Sequence, residues 1–211
     1  MKEIEMPKRI AALPRDDKGR PVPFFVQWID GQPDFRIMDR DRFVDCVKER
    51  LCWTCGEKLG RHLAFVIGPM CGINHTSSEP PSHQECAQFA VRACPFMATP
   101  QMHRRETDLP EGGVHSPGGI AIRRNPGVMM IWVTRNYIIQ ADGMGGYVLR
   151  FGDPESIEYY REGRPATRAE IDHSIETGLP ILEKLAQEDG PEAVAALEKY
   201  VAAFRCLLPE S

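Results

Sequence analysis

The 211-residue sequence predicts an α+β protein in two lobes. Three observations carry that prediction. Five of the seven cysteines fall between positions 52 and 94, a clustering that ties the first lobe together. Segments rich in β-branched and aromatic residues, separated by Gly, Asn and Asp turns, occupy 120–151 and predict a small antiparallel sheet. Helix signals fill the remainder, making the second lobe a sheet with C-terminal helices.

Taken in order, residues 1–22 are polar and carry Pro7, Pro14 and Pro21 with an Asp16-Asp17-Lys18-Gly19 turn, and they read as a mobile N-terminal arm. Residues 24–29 and 35–38 form two strands around an Asp30-Gly31 turn. Asp39 or Asp41 caps a short helix that runs to about Arg50. The first lobe spans 23–98. Residues 99–119, with Pro100, Pro110, Pro117 and four glycines, form a linker or long loop between the lobes. The second lobe, 120–211, opens with strands at 120–123, 128–135, 137–140 and 147–151. Turns at Asn125-Pro126-Gly127 and at 142–146 join them. Asp153 with Pro154 starts a helix. The Thr167-Arg168-Ala169-Glu170 capping box starts another. Helices at 179–188 and 191–207 close the chain, broken at Asp189-Gly190, with Ala195, Leu197, Val201 and Phe204 on a packed face.

Composition narrows the class. The chain is 42% hydrophobic and 27% charged, too apolar for a disordered segment, and no run approaches the roughly 20 apolar residues of a membrane helix. Its start, MKEIEM, lacks the apolar stretch of a secretory leader, so a cytoplasmic setting is expected. The net charge is −4, which lacks the basic excess of a dedicated nucleic-acid binder. An odd number of cysteines in such a chain argues against a disulfide framework and for metal.

The metal-binding pattern lies between 52 and 86. Cys52-x2-Cys55-Gly56 has the spacing of a zinc knuckle, in which a tight turn brings two thiolates to one ion and Gly56 relaxes the backbone behind them. Residues 63–67 form a strand that turns at Gly68-Pro69 or Gly72 and returns through Ile73. Pro80-Pro81 stops it. Ser82-His83-Gln84-Glu85 reads as a capping box that starts a helix, which places His83 and Cys86 on one face of its first turn. Knuckle, hairpin and helix in this order resemble the treble-clef zinc finger. The predicted ligands are Cys52, Cys55, His83 and Cys86, holding one structural Zn2+ with no vacant position for a catalytic water. Cys94, two turns beyond Cys86 on the same face, is expected to pack, and whether Cys71 or Cys94 replaces a ligand stays open. Cys94-Pro95 matches the end of a ferredoxin run, but the remaining spacing does not. Cys46 and Cys206 sit on apolar helix faces and are assigned to the core.

The stretch LCWTCGEKLGRHLAFVIGPMCGINHTSSEPPSHQECAQFAVRACPFMATP resembles a group of uncharacterised zinc-finger proteins encoded by bacteriophages and prophages, as do the later RRNPGV and GDPESIEYYREGRPATRAEIDHSIETGLP segments. The resemblance runs from about Phe24 to Leu185. It implies a bacterial host cytoplasm and no particular activity.

Enzyme readings are weaker. The zinc deaminases place H-x-E before P-C-x-x-C, whereas here the Cys pair comes first and Leu51 precedes it. An HNH-like nuclease needs a His base near the hairpin, for which His62, Asn74 and His75 are the candidates, but no second metal-ligand run accompanies them. The 143–146 glycines lack the context of a phosphate loop, and Ser116 lacks a nucleophile elbow. Arg36, Arg40, Arg42, Lys48, Arg50, Lys58 and Arg61 flank the knuckle and, with Trp53 and His62, outline a possible phosphate-contacting surface. Arg104-Arg105 and Arg123-Arg124 add to it. Asp39, Asp41, Asp45 and Glu49 interleave with these arginines, which favours a solvated face instead. Arg161 and Arg164 tie the helix junction to acidic neighbours. The expected function is therefore macromolecular binding by an accessory protein, with a host or phage protein or a nucleic acid as partner, and a metal-dependent nuclease using His62 and His75 as the alternative.

Overall fold

The computed structural model describes residues 4–99, 125–143 and 146–210. The described chain is mixed α/β, with three antiparallel sheets and two long C-terminal helices. The predicted linker at 100–119, the strand at 120–123, Ser116 and the basic pairs at 104–105 and 123–124 lie outside the described residues.

The chain opens with a one-turn helix, α1 (Lys8–Ala11). Its Ile10 is buried in the main core, and Val22 further on is also buried. The N-terminal segment is thus not the loose arm that its prolines suggest. Ile10 and Val22 anchor it. A hairpin follows, β1 (Val26–Ile29) and β2 (Gln32–Met38), turning through Asp30 and Gly31, both at positive φ. This is the turn chemistry the dipeptide requires. In α2 (Arg40–Glu49) the Asp39 carboxylate accepts from the Asp41 and Arg42 amides, as the capping rule expects.

The principal sheet is built from β3 (Leu63–Ile67), β5 (Met129–Thr134), β8 (Ser156–Arg161) and β9 (Arg164–Pro165), in that order. Here the structure departs from the predicted local hairpin. Residues 69–74 do not return as a strand. They form a helix, α3 (Pro69–Asn74), starting with Pro69 at its first turn and ending at His75 in the left-handed region. A two-residue strand, β4 (Thr76–Ser77), comes next. The partner of β3 is β5, so strands assigned by sequence to different lobes are neighbours in one sheet. Both are buried on both faces, which explains their continuous apolar runs.

On one face lies α4 (Gln84–Ala93), followed by the short α5 (Pro95–Ala98). Ala87 and Val91 of α4 pack on Ala64, Ile131, Val133 and Tyr160. The other face carries Leu63, Phe65, Ile67, Met130 and Trp132 into the main core. That core is closed by α3, by α6 (Arg168–Asp189) and α7 (Pro191–Arg205), and by the sheet of β4, β7 (Tyr147–Phe151) and β6 (Tyr137–Ala141). The close approach of α3 to α7 depends on Gly72, where a Cβ would sit 2.8 Å from the Phe204 ring.

Two helix predictions change. Asp153-Pro154 starts no helix. Residues 156–161 form β8 on the edge of β5, with the Glu155 amide bonded to the Val133 carbonyl at 2.7 Å. Tyr159 and Tyr160 gain burial there, and Glu162-Gly163, both at positive φ, make the hairpin turn into β9. The Thr167 capping box is present, with Arg164 and Arg161 paired to its Glu170. The helix it opens runs unbroken to Asp189 through Pro180 and packs against α3 and α7. Leu197 and Phe204 of α7 are buried as expected, whereas Ala195 faces outward.

Candidate metal centre

The site begins with the turn after α2. Leu51 and Lys58 form an isolated antiparallel bridge, and the Cys52 amide donates to the Glu57 carbonyl at 2.7 Å. The Gly56 amide returns to the Cys52 carbonyl at 2.8 Å. Gly56 sits at φ 77°, and a Cβ there would lie 2.6 Å from the Phe24 ring. Only glycine fits this turn, both conformationally and sterically. The result is the predicted knuckle, with Cys52 fully buried and Cys55 half-buried.

The second half of the site is carried by the outer edge of β3. Ala64 and Ser82 exchange both backbone hydrogen bonds, at 3.0 and 2.8 Å. The Trp53 amide donates to the Pro81 carbonyl, and the Thr54 and Ser82 hydroxyls meet at 2.8 Å. These contacts fasten the segment just before His83 to both strand and knuckle. His83 is the N-cap residue of α4, and Cys86 lies in its first turn. The predicted capping box is not formed. Ser82 is engaged with Thr54, and Glu85 pairs with Arg9, which also bonds Glu57 at 2.8 Å.

Cys52, Cys55, His83 and Cys86 thus converge, with one ligand atom from each all within 4.8 Å of one another. This is the predicted set, and it can hold a metal ion. His83 Nδ1 faces the sulfurs, 3.4 Å from Cys55 Sγ and 3.9 Å from Cys86 Sγ. Its Nε2 lies 3.0 Å from the Lys58 carbonyl, to which it donates, and this orients the ring with Nδ1 toward the sulfurs. The Cys52 sulfur accepts from the Cys55 and His83 amides at 3.4 and 3.3 Å.

Electrostatically the three thiols cannot all ionise together. Hydrogen bonds from the Cys55 and Cys86 thiols, aided by the two amides, push the Cys52 thiol well below the ordinary range against the cost of burial. The Cys52 thiolate in turn pushes Cys55 up to about 11 and Cys86 far up. Such a cluster carries its full negative charge only with a cation among the sulfurs.

Cys71 and Cys94 stand outside the cluster. Cys71 is exposed on α3, and Cys94 ends α4 as its C-cap rather than continuing the Cys86 face. Cys46 is buried as expected, while Cys206 is exposed at the end of α7. The two histidines of the alternative site have separate surroundings. Nδ1 of the exposed His62 lies 2.7 Å from a Glu155 oxygen, and Glu155 also pairs with Arg135. His75 packs against the Trp132 and Phe151 rings, with centroids 4.9 and 5.7 Å away. Among the described residues, no other group of three or more His, Cys, Asp or Glu could hold a metal ion. Trp53 is buried, stacked on Phe25 at 5.0 Å and edge-on to Phe43, so it offers no exposed ring to a base.

Two supporting contacts have little sequence signal. The Lys58 carbonyl acts through the backbone, which any residue type supplies. The Glu158 carboxylate on β8 accepts from Gln84 and Gln88 of α4 at 2.8 Å and from Tyr160 at 2.6 Å, joining the helix that carries Cys86 to the sheet. No family model matches the chain, and no curated protein or solved structure matches it either.

Proposed function

We propose that the Cys3His cluster is a closed structural zinc centre in a treble-clef-like setting, and that the protein works by binding a macromolecular partner. The carrying observation is the convergence of three sulfurs and one imidazole nitrogen from a knuckle and a helix start. With Zn–S bonds of about 2.3 Å and a Zn–N bond of about 2.0 Å, a tetrahedral ion spans S···N edges of roughly 3.5 Å. The 3.4 and 3.9 Å separations suit it. Four protein ligands fill a tetrahedron, so the ion would supply folding energy and not an activated water.

Of the basic residues flanking the knuckle, Arg36, Arg42 and Lys58 each pair with a carboxylate, whereas Arg40, Lys48, Arg50 and Arg61 make no ion pair among the described residues. The partner in this reading is a protein or a nucleic acid. The resemblance to phage-encoded zinc-finger proteins supports an accessory role in a bacterial host cytoplasm.

The test of the site is cobalt substitution. A tetrahedral thiolate-rich Co2+ spectrum, lost in Cys55→Ser, is expected. An octahedral spectrum would contradict it. The partner class separates on salt. Binding to duplex or single-stranded DNA or RNA that weakens steeply with ionic strength would narrow the assignment to nucleic acid. Plasmid cleavage with Mg2+ or Mn2+ that is lost in His62→Ala would move it to a nuclease.

A further inference from the structure

The three-stranded sheet ends at β6, whose sequence Tyr137-Ile138-Ile139-Gln140-Ala141 has no charge, proline or glycine. Natural edge strands are usually blunted by lysine, proline or a bulge. This one instead exposes Ile138 at 63% and Ile139 at 52%, beside Tyr147 of β7 at 61%. Among the described residues, no strand pairs with its outer side.

The direction of its backbone groups follows from the bonds around it. The Gly152 amide donates to the Asn136 carbonyl and the Asp142 amide to the Gly146 carbonyl, so even-numbered residues of this strand face β7. The Phe151 amide turns the other way, to His75 beside β4. Tyr137, Ile139 and Ala141 therefore direct their N–H and C=O groups to the open edge.

We propose that this edge pairs antiparallel with β6 of a second copy of the chain, about a two-fold axis at Ile139. In that register Ile139 exchanges both bonds with Ile139 of the second copy, and Tyr137 pairs with Ala141 at either end. All three outward residues of each strand are then satisfied. The strand is flanked by Arg135, which pairs with Glu155, and by Asp142, whose carboxylate accepts from the Gly146 amide at 2.8 Å, and the two-fold brings the Arg135–Glu155 end of one strand beside the Asp142 end of the other. No like charges face each other within the paired strands. On the face of Tyr137, Ile139 and Ala141, the cross-strand partners Phe151, Leu149 and Tyr147 continue the apolar ladder across the joint. Such self-complementarity is what an isologous two-fold contact requires.

The test is sedimentation velocity of the full chain over a concentration series. The expected result is a concentration-dependent species of twice the 23.8 kDa chain mass. Ile139→Lys, which places two ammonium groups at the axis, and Ile139→Pro, which removes an outward N–H without touching the β6–β7 bonds, should both give monomer with unchanged far-UV circular dichroism. A wild type that stays monomeric at its highest soluble concentration, or a dimer that survives in both variants, would overturn the proposal. Should either variant fail to fold, hydrogen exchange on the wild type decides. Amides of Tyr137, Ile139 and Ala141 that slow with rising concentration support the pairing, and concentration-independent exchange overturns it.

Discussion

The knuckle at 50–59 and the β3–β5 pair lie in the same molecule but are held in place by different physics. Around β3 and β5, Phe65, Met130 and Trp132 are completely buried, and Phe65 lies 5.0 Å from Phe151 and 5.8 Å from Tyr137, ring to ring. Burial of apolar area suffices there. The knuckle has a few backbone hydrogen bonds, Leu59 and Trp53 beneath it, and three thiols that repel one another once ionised. Without an ion, only the two amides on the Cys52 sulfur and the hydrogen bonds among the thiols hold those sulfurs together. One part of the fold should thus depend on metal and the other on packing, with α4 joining them through Cys86 on one side and Gln84 and Gln88 on the other.

The sharpest way to break this contrast is to remove a ligand. Structural zinc contributes roughly 10 kcal/mol or more to small metal-folded units. Cys52→Ser is expected to abolish soluble expression, since Cys52 belongs to the core that also contains Phe65 and Phe204. A folded, metal-free Cys52→Ser protein would show that packing alone holds the knuckle. The complementary change, Phe65→Ala, should cost about 3–5 kcal/mol by urea denaturation while leaving the metal content of the folded fraction unchanged.

A smaller effect is expected at Gly56. Alanine there meets both the positive φ and the Phe24 ring, and should destabilise by about 1–3 kcal/mol. Adding Phe24→Ala should relieve the steric part alone, so partial recovery in the double variant separates clash from backbone strain.

The smallest effect belongs to the packed region and depends on pH. Burial against Trp132 and Phe151 holds the His75 pKa below its ordinary 6.5. As pH falls below that value the unfolded chain takes up the proton first, so stability falls until folded His75 itself protonates. The slope should stay below about 1.4 kcal/mol per pH unit. His75→Phe should flatten the dependence of the urea midpoint between pH 7 and 5. An unchanged slope would mean that other groups carry it.

The same division decides what could be read from the sequence. The convergence of Cys52, Cys55, His83 and Cys86 is legible because a Cys-x2-Cys-Gly turn and a helix start with His and Cys three apart are both local patterns. The hairpin at Asp30-Gly31 and the Thr167 cap were legible for the same reason. The partner of β3 was not, because a strand buried on both faces carries no periodicity that names its neighbour. The expected return through Ile73 failed on that point, and β8 was mistaken for a helix because Asp153-Pro154 imitates a cap. The N-terminal segment looks loose in sequence because its anchors, Ile10 and Val22, are isolated apolar residues among polar ones and prolines.

The central claim is that the knuckle is a closed zinc site, and elemental analysis of the purified chain tests it most directly. Inductively coupled plasma mass spectrometry, with and without a mild chelator, should find one zinc per chain that resists removal. Iron in place of zinc, or two metals of which one is easily stripped, would contradict the claim and make catalysis the leading reading.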